Sequence, residues 1–184
     1  MTLEQLGALL AGMHITHILR PNDDDILIAY PMMHYRGSDG QRDLMMRLSI
    51  TENSEFIRFE AFMDYGLSDV QIKLKRTLFR MLLLVAFRSP MLQFEMRASG
   101  AMFFVVEAPL RDGIITAEQL SLCLESVVGP VDQYDEDIRH SIRMGVSRLP
   151  VYESELHDMM TEILDIHIRD DDVDESEEES DEWI

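Results

Sequence analysis

His14 and His17 stand three residues apart, and Asp23, Asp24 and Asp25 follow closely. Imidazole nitrogens at that spacing, with carboxylates nearby in sequence, are donors suited to a divalent metal ion. The pair lacks the glutamate of an HExxH helix, so no metal ligand is assigned. A metal-dependent enzyme or metal sensor using His14, His17 and Asp23–Asp25 stands as the alternative function. Near the C-terminus Asp170, Asp172 and Asp174 alternate as in a calcium loop, but Glu175 occupies the position that needs glycine for the turn. No serine sits in a nucleophile-elbow frame, and none of the nine glycines forms a phosphate loop. Cys123, in "LSLCLESVV", reads as helix core. Asp132, Asp135, Glu136 and Asp137 read as a solvated helix face. No catalytic residue and no cofactor is implied.

The sequence points instead to binding. The net charge is −19, of which the ten carboxylates between Asp170 and Glu182 supply −10, leaving −9 on the rest. Such a field repels nucleic acid and anionic lipid and favours basic partner polypeptides. The acidic run ends on Trp183 and Ile184. Charge can steer that segment to a basic groove, while the indole and the aliphatic side chain fill an apolar pocket. Trp183 and Ile184 are therefore candidate partner-binding residues.

A lone cysteine makes no intrachain disulfide, which suits a reducing, cytoplasmic setting. "MTLEQLGALLAGMH" carries Glu4 where a signal peptide needs basic residues. The longest apolar run, Met81 to Phe87, is too short for a bilayer, so no membrane association is expected.

Three stretches open with a hydroxyl residue three positions before a glutamine: Thr2–Gln5, Ser68–Gln71 and Thr116–Gln119. Each predicts a helix start with a reciprocal capping box. Between the first two lie three strand-like runs: Ile26 to Met33, Leu44 to Ile50 and Glu55 to Met63. In the third, Ile57, Phe59, Ala61 and Met63 share one face, with Arg58 and Glu60 opposite. Pro31 argues for an edge strand or a bulge. Two further strands, "MLQFEMRA" and "AMFFVVEAPL", meet at a two-residue turn, Ser99-Gly100. The expected fold is α+β: a five-stranded, mostly antiparallel sheet, made of a three-strand meander plus a hairpin, with flanking helices. Gly129-Pro130 should break or kink the third helix. A single domain over 1–168, with a helical extension over about 131–168, precedes an acidic tail, 169–184, expected to be disordered.

"DDDILIAYPM", "FIRFEAFM", the strands around "ASGAMFFVVEAPL" and above all "GIITAEQLSLCLESVVGPVDQYDED" resemble the YbjN-like family, which shares the type III secretion chaperone-like fold. The resemblance spans roughly Leu3 to Ile142. It implies a type III secretion chaperone-like domain, a homodimer and no known active site.

Methionine is abundant, with 14 residues, and a thioether face can repack around different partners. By alternation Met45 shares a face with Arg47 and Ser49, and Met91 with Gln93, Glu95 and Arg97. Both are candidate partner-binding residues. The second helix carries Lys73, Lys75, Arg76 and Arg80, with Arg88 beyond, and reads as a solvated face or as a docking strip for carboxylates of the tail or of a partner. Its apolar residues exceed one stripe, which makes Leu82 and Val85 candidate dimer-interface residues. The function expected is a non-catalytic, chaperone-like or adaptor-like module that binds a partner polypeptide.

Overall fold

The computed structural model of the chain describes residues 1–37, 40–51, 55–66, 74–110 and 113–145. The chain divides into two units, Met1–Pro150 and Val151–Ile184, and all described residues belong to the first. The helix expected after Pro150, the acidic segment, Trp183 and Ile184 lie outside the described residues.

The element order is α1 (Leu3–Gly12), β1 (His17–Arg20), β2 (Asp25–Pro31), β3 (Asp43–Ile50), β4 (Phe56–Gly66), α2 (Lys75–Arg88), β5 (Gln93–Met96), β6 (Ala101–Pro109) and α3 (Ala117–Met144). The strands form one antiparallel sheet in the order β1-β2-β3-β4-β6-β5. The class is α+β, as expected, but the sheet has six strands rather than five.

The added strand is β1. Its sequence, His-Ile-Leu-Arg, is short and polar at both ends, so it gives almost no alternating pattern. Tertiary pairing makes it a strand: it runs against β2 from His17↔Ile28 to Arg20↔Asp25. A tight turn joins them, with Asp24 at φ 56 and Arg20 forked onto Asp25 at 2.8 and 2.6 Å. His17 thus lies in a strand and not at a helix end. Pro31 does not mark an edge strand either. β2 is flanked on both sides, and Pro31 lies beyond the last β1 pair, where no partner asks for its missing N–H.

All three helices pack on one face of the sheet. Leu6 and Leu10 of α1, Leu78 and Met81 of α2, and Leu120, Val127 and Ile138 of α3 join one core with Ile26, Ile28, Leu48, Ile57, Phe59 and Phe104. The capping boxes at Thr2 and Thr116 form reciprocally with Gln5 and Gln119. The expected start at Ser68 lies outside the described residues, and α2 is described from Lys75.

Two local expectations are corrected. The β5–β6 turn spans three residues, Ala98 to Gly100. Arg97 N–H bonds Ala101 O at 3.0 Å, and Gly100, at φ 85, donates to Arg97 O at 2.8 Å. This is the three-residue hairpin with a left-handed glycine, whose twist suits the flanking strands. Met91 also falls outside β5, in the preceding turn at φ 74, so strand alternation does not govern it.

α3 runs unbroken for 28 residues with Pro130 inside it, so no new segment opens there. The apolar face continues through Val127, Val131, Tyr134 and Ile138, and that burial outweighs the one backbone hydrogen bond proline forfeits. Gly129 and Pro130 lie on the outer side, where a Cβ added at Gly129 meets nothing within 4 Å. α3 ends at Gly145, in the left-handed conformation, against the side chain of Leu74.

Candidate functional site

On α2 the buried positions are Leu78, Met81, Leu82, Leu84 and Val85. Leu82 and Val85 therefore pack into the chain's own core, Leu82 also lining the groove described below, and neither projects from the helix as a dimer-interface residue would. The exposed apolar residues of α2 are Phe79, Leu83 and Phe87, at 42%, 56% and 59% exposure. Their spacing of four aligns them in one stripe. Beside the stripe, β5 ends the sheet. Phe79, Leu82 and Leu83 face Phe94, Met96 and Met102 across an apolar groove of about 260 Å³. Phe94 forms its floor and packs on Phe104 at 4.4 Å between ring centroids. The core thus opens to solvent along this edge.

The opposite face of the sheet carries charge. Glu60, on β4, is only 2% exposed, although sequence alternation suggests a solvent-facing position. Arg47 of β3 bonds it from one side, Arg97 reaches it at 3.1 Å, and Arg58 lies 3.8 Å away. Arg58 also binds Glu95 and, at 2.8 Å, Glu107. The guanidiniums of Arg97 and Arg47 lie over the rings of Phe103 and Phe62. Long arginine stems cover the apolar surface while their heads pair with carboxylates. Met45, 42% exposed, sits at the margin of this face beside Tyr35 and Phe62. Met91, 46% exposed, lies in the turn before β5.

A larger cleft of about 690 Å³ lies between the end of β2 and α3, lined by Met32, Met33, His34, Asp132, Asp135 and Glu136 among others. Two of its carboxylates, Asp132 and Asp135, hold structure. Asp132 accepts the backbone N–H groups of His34 and Tyr35 at 2.7 and 2.8 Å, fastening the segment after β2 to α3. Asp135 is buried and paired with Arg139 at 2.8 Å, so it is not part of the solvated helix face read from sequence. Arg139 also binds Asp64 and lies over the rings of Tyr35 and Tyr65. Burial pushes the Asp135 carboxyl up, and the Arg139 pair offsets this only in part. Burial, with Asp135 nearby, also pushes the Tyr65 hydroxyl well above its usual range.

The histidines and aspartates of the metal alternative are not brought together as a ligand set. His14 is exposed, at φ 59. His17 Nδ1 is 3.0 Å from Ile15 O, and the other end of its ring packs beside Gly7. Asp23 and Asp25 pair with Arg20. Among the described residues no group of three or more His, Cys, Asp or Glu is placed to hold a metal ion. Cys123 is buried, as read, and burial raises its thiol.

No family model, curated protein or solved structure matches the chain. Among the described residues no helix is long and apolar enough to cross a membrane. Geometry alone must carry the functional reading, and it singles out the α2 stripe and its groove. The surplus of apolar residues on α2 was the sequence signal, but it could not say which stripe faced the sheet.

Proposed function

We propose that this chain is a non-catalytic module that binds a partner polypeptide, in the manner of a chaperone or adaptor. The observation that carries the reading is the exposed stripe Phe79–Leu83–Phe87, continuous with a groove lined by Phe94 and Met96. A coherent apolar strip on an otherwise strongly charged chain is the kind of surface that another polypeptide covers. Met45 and Met91 are exposed thioethers outside the strip and extend the adaptable surface. The reading includes the YbjN-like, type III secretion chaperone-like architecture that the sequence resembles, a cytoplasmic setting and a homodimer. Since Leu82 and Val85 are buried, the homodimer interface is proposed to lie elsewhere.

The test is capture of partners by tagged full-length chain from its native cell, with mass spectrometry. A partner enriched by the wild type should be lost on Leu83→Glu with Phe87→Glu. Both sites are exposed, so the variants should keep wild-type unfolding midpoints. Equal recovery by folded variants overturns the role of the stripe. Met45→Lys, Met91→Lys and removal of residues 170–184 test the other candidate surfaces in turn.

A further inference from the structure

We propose that the groove between α2 and β5 receives an acidic peptide segment with an apolar anchor, supplied by the partner polypeptide. This rests on the binding role above and adds the chemistry of what is bound.

The local charge of α2, opposite in sign to the net field of the chain, identifies the occupant. α2 carries Lys75, Arg76, Arg80 and Arg88 and no acidic residue, in a chain whose net charge is −19. Three of these cations lie by the stripe. Arg76 precedes Phe79 by three positions and lies on the same side of the helix, while Lys75 and Arg80 flank the stripe. Lys75, Arg76 and Arg88 have no carboxylate partner among the described residues, whereas most arginines of the sheet's open face are paired. Glu95, the acidic residue of the groove, is neutralised by Arg58. The groove therefore offers an apolar floor with a positive border at the N-terminal end of the stripe. An anion-rich segment with one or two large apolar side chains matches both features.

A second copy of this chain matches only one. Two α2 stripes packed together bring the same cations face to face with no acid on either helix, and like charges so placed repel. Among the described residues β5 is the last strand of the sheet, and an extended partner segment can pair along such an edge.

The probe is a fluorescein-labelled synthetic peptide of Asp and Glu residues carrying one Trp and one Leu, titrated into full-length protein and followed by anisotropy. Saturable binding is expected at low salt, weakening as salt rises. Leu83→Glu should weaken it by about tenfold or more, and Arg76→Glu should do so at low salt while losing its effect at high salt. Ile18→Glu, at an exposed site on β1 at the opposite edge of the sheet, should change nothing. Absence of saturable binding, or equal affinity in the Leu83 and Arg76 variants, overturns the proposal. So does equal binding of a matched peptide with Asn and Gln in place of Asp and Glu, although that result leaves the protein-binding role standing. A dimer mass by light scattering that Leu83→Glu halves assigns the groove to a second copy and also overturns it.

Discussion

Removing the Glu60 carboxylate should destabilise the protein more than any other single change on the open face of the sheet. Glu60 is 2% exposed and meets Arg47, Arg58 and Arg97. The three arginines do not suffer equally. Arg58 keeps Glu95 and Glu107, and Arg97, with half its side chain exposed, can turn to water. Arg47 is stranded: its side chain is 28% exposed, its Nε already lacks a hydrogen-bond partner, and Glu60 is its only carboxylate among the described residues. One stranded, part-buried cation corresponds to about 3 kcal/mol, the low end for breaking a buried pair. In a chain of this size that shifts the thermal midpoint down by roughly 6–12 °C. Urea and thermal unfolding of Glu60→Gln at neutral pH measure it. Replacing both partners, Glu60→Leu with Arg47→Leu, should recover most of the loss, because it removes the stranded charge along with the carboxylate. A Glu60→Gln loss below about 0.5 kcal/mol, or a double variant no better than the single one, would refute the reasoning.

Other outcomes follow from particular contacts. The Asp135 carboxyl is raised by burial, so the folded chain holds that proton more tightly than the unfolded one. Its contribution to stability is greatest at low pH and is lost as pH rises above about 4, through the folded-state value. Urea midpoints of wild type minus Asp135→Asn should therefore fall with rising pH over that interval, and a constant or rising difference contradicts the assignment. Pro130→Ala supplies the N–H that the Ser126 carbonyl lacks and should stabilise the protein by about 1–3 kcal/mol; an unchanged midpoint would mean that this carbonyl is already satisfied. Gly66→Ala places a Cβ 2.8 Å from Gly100 O, a backbone atom, and should cost about 1–3 kcal/mol with faster amide exchange at the β5–β6 turn. A neutral result would show that the turn yields.

What could be read from sequence was local. The Thr2–Gln5 and Thr116–Gln119 boxes close within three residues, so their helix starts are written in adjacent letters. The inner faces of β3 and β4 followed from alternation, as the burial of Leu44, Met46, Leu48, Ile57 and Phe59 shows. Features that depend on distant partners were not legible. β1 exists because β2 pairs with it, and Ile18 and Leu19 alone give no period. The burial of Glu60 needs arginines from β3, β4 and the segment after β5, which no window of sequence joins. On α2 the apolar surplus was visible, but its division between Leu82 and Val85 inside and Phe79, Leu83 and Phe87 outside is set by where the helix lies on the sheet. Pro130 misled because a local rule was overridden by a long buried face.

Strand order has a kinetic consequence. β1 to β4 are neighbours in space in the same sequence as in the chain, so each pairing closes a short loop at small entropic cost. β6 reaches β4 only after α2 and β5 have been made. During synthesis the first four strands can assemble early, leaving β4, with Ile57 and Phe59, as a temporary open border until residue 109 has emerged. A pause in translation between residues 66 and 101 would prolong that exposure, and aggregation should rise with its length.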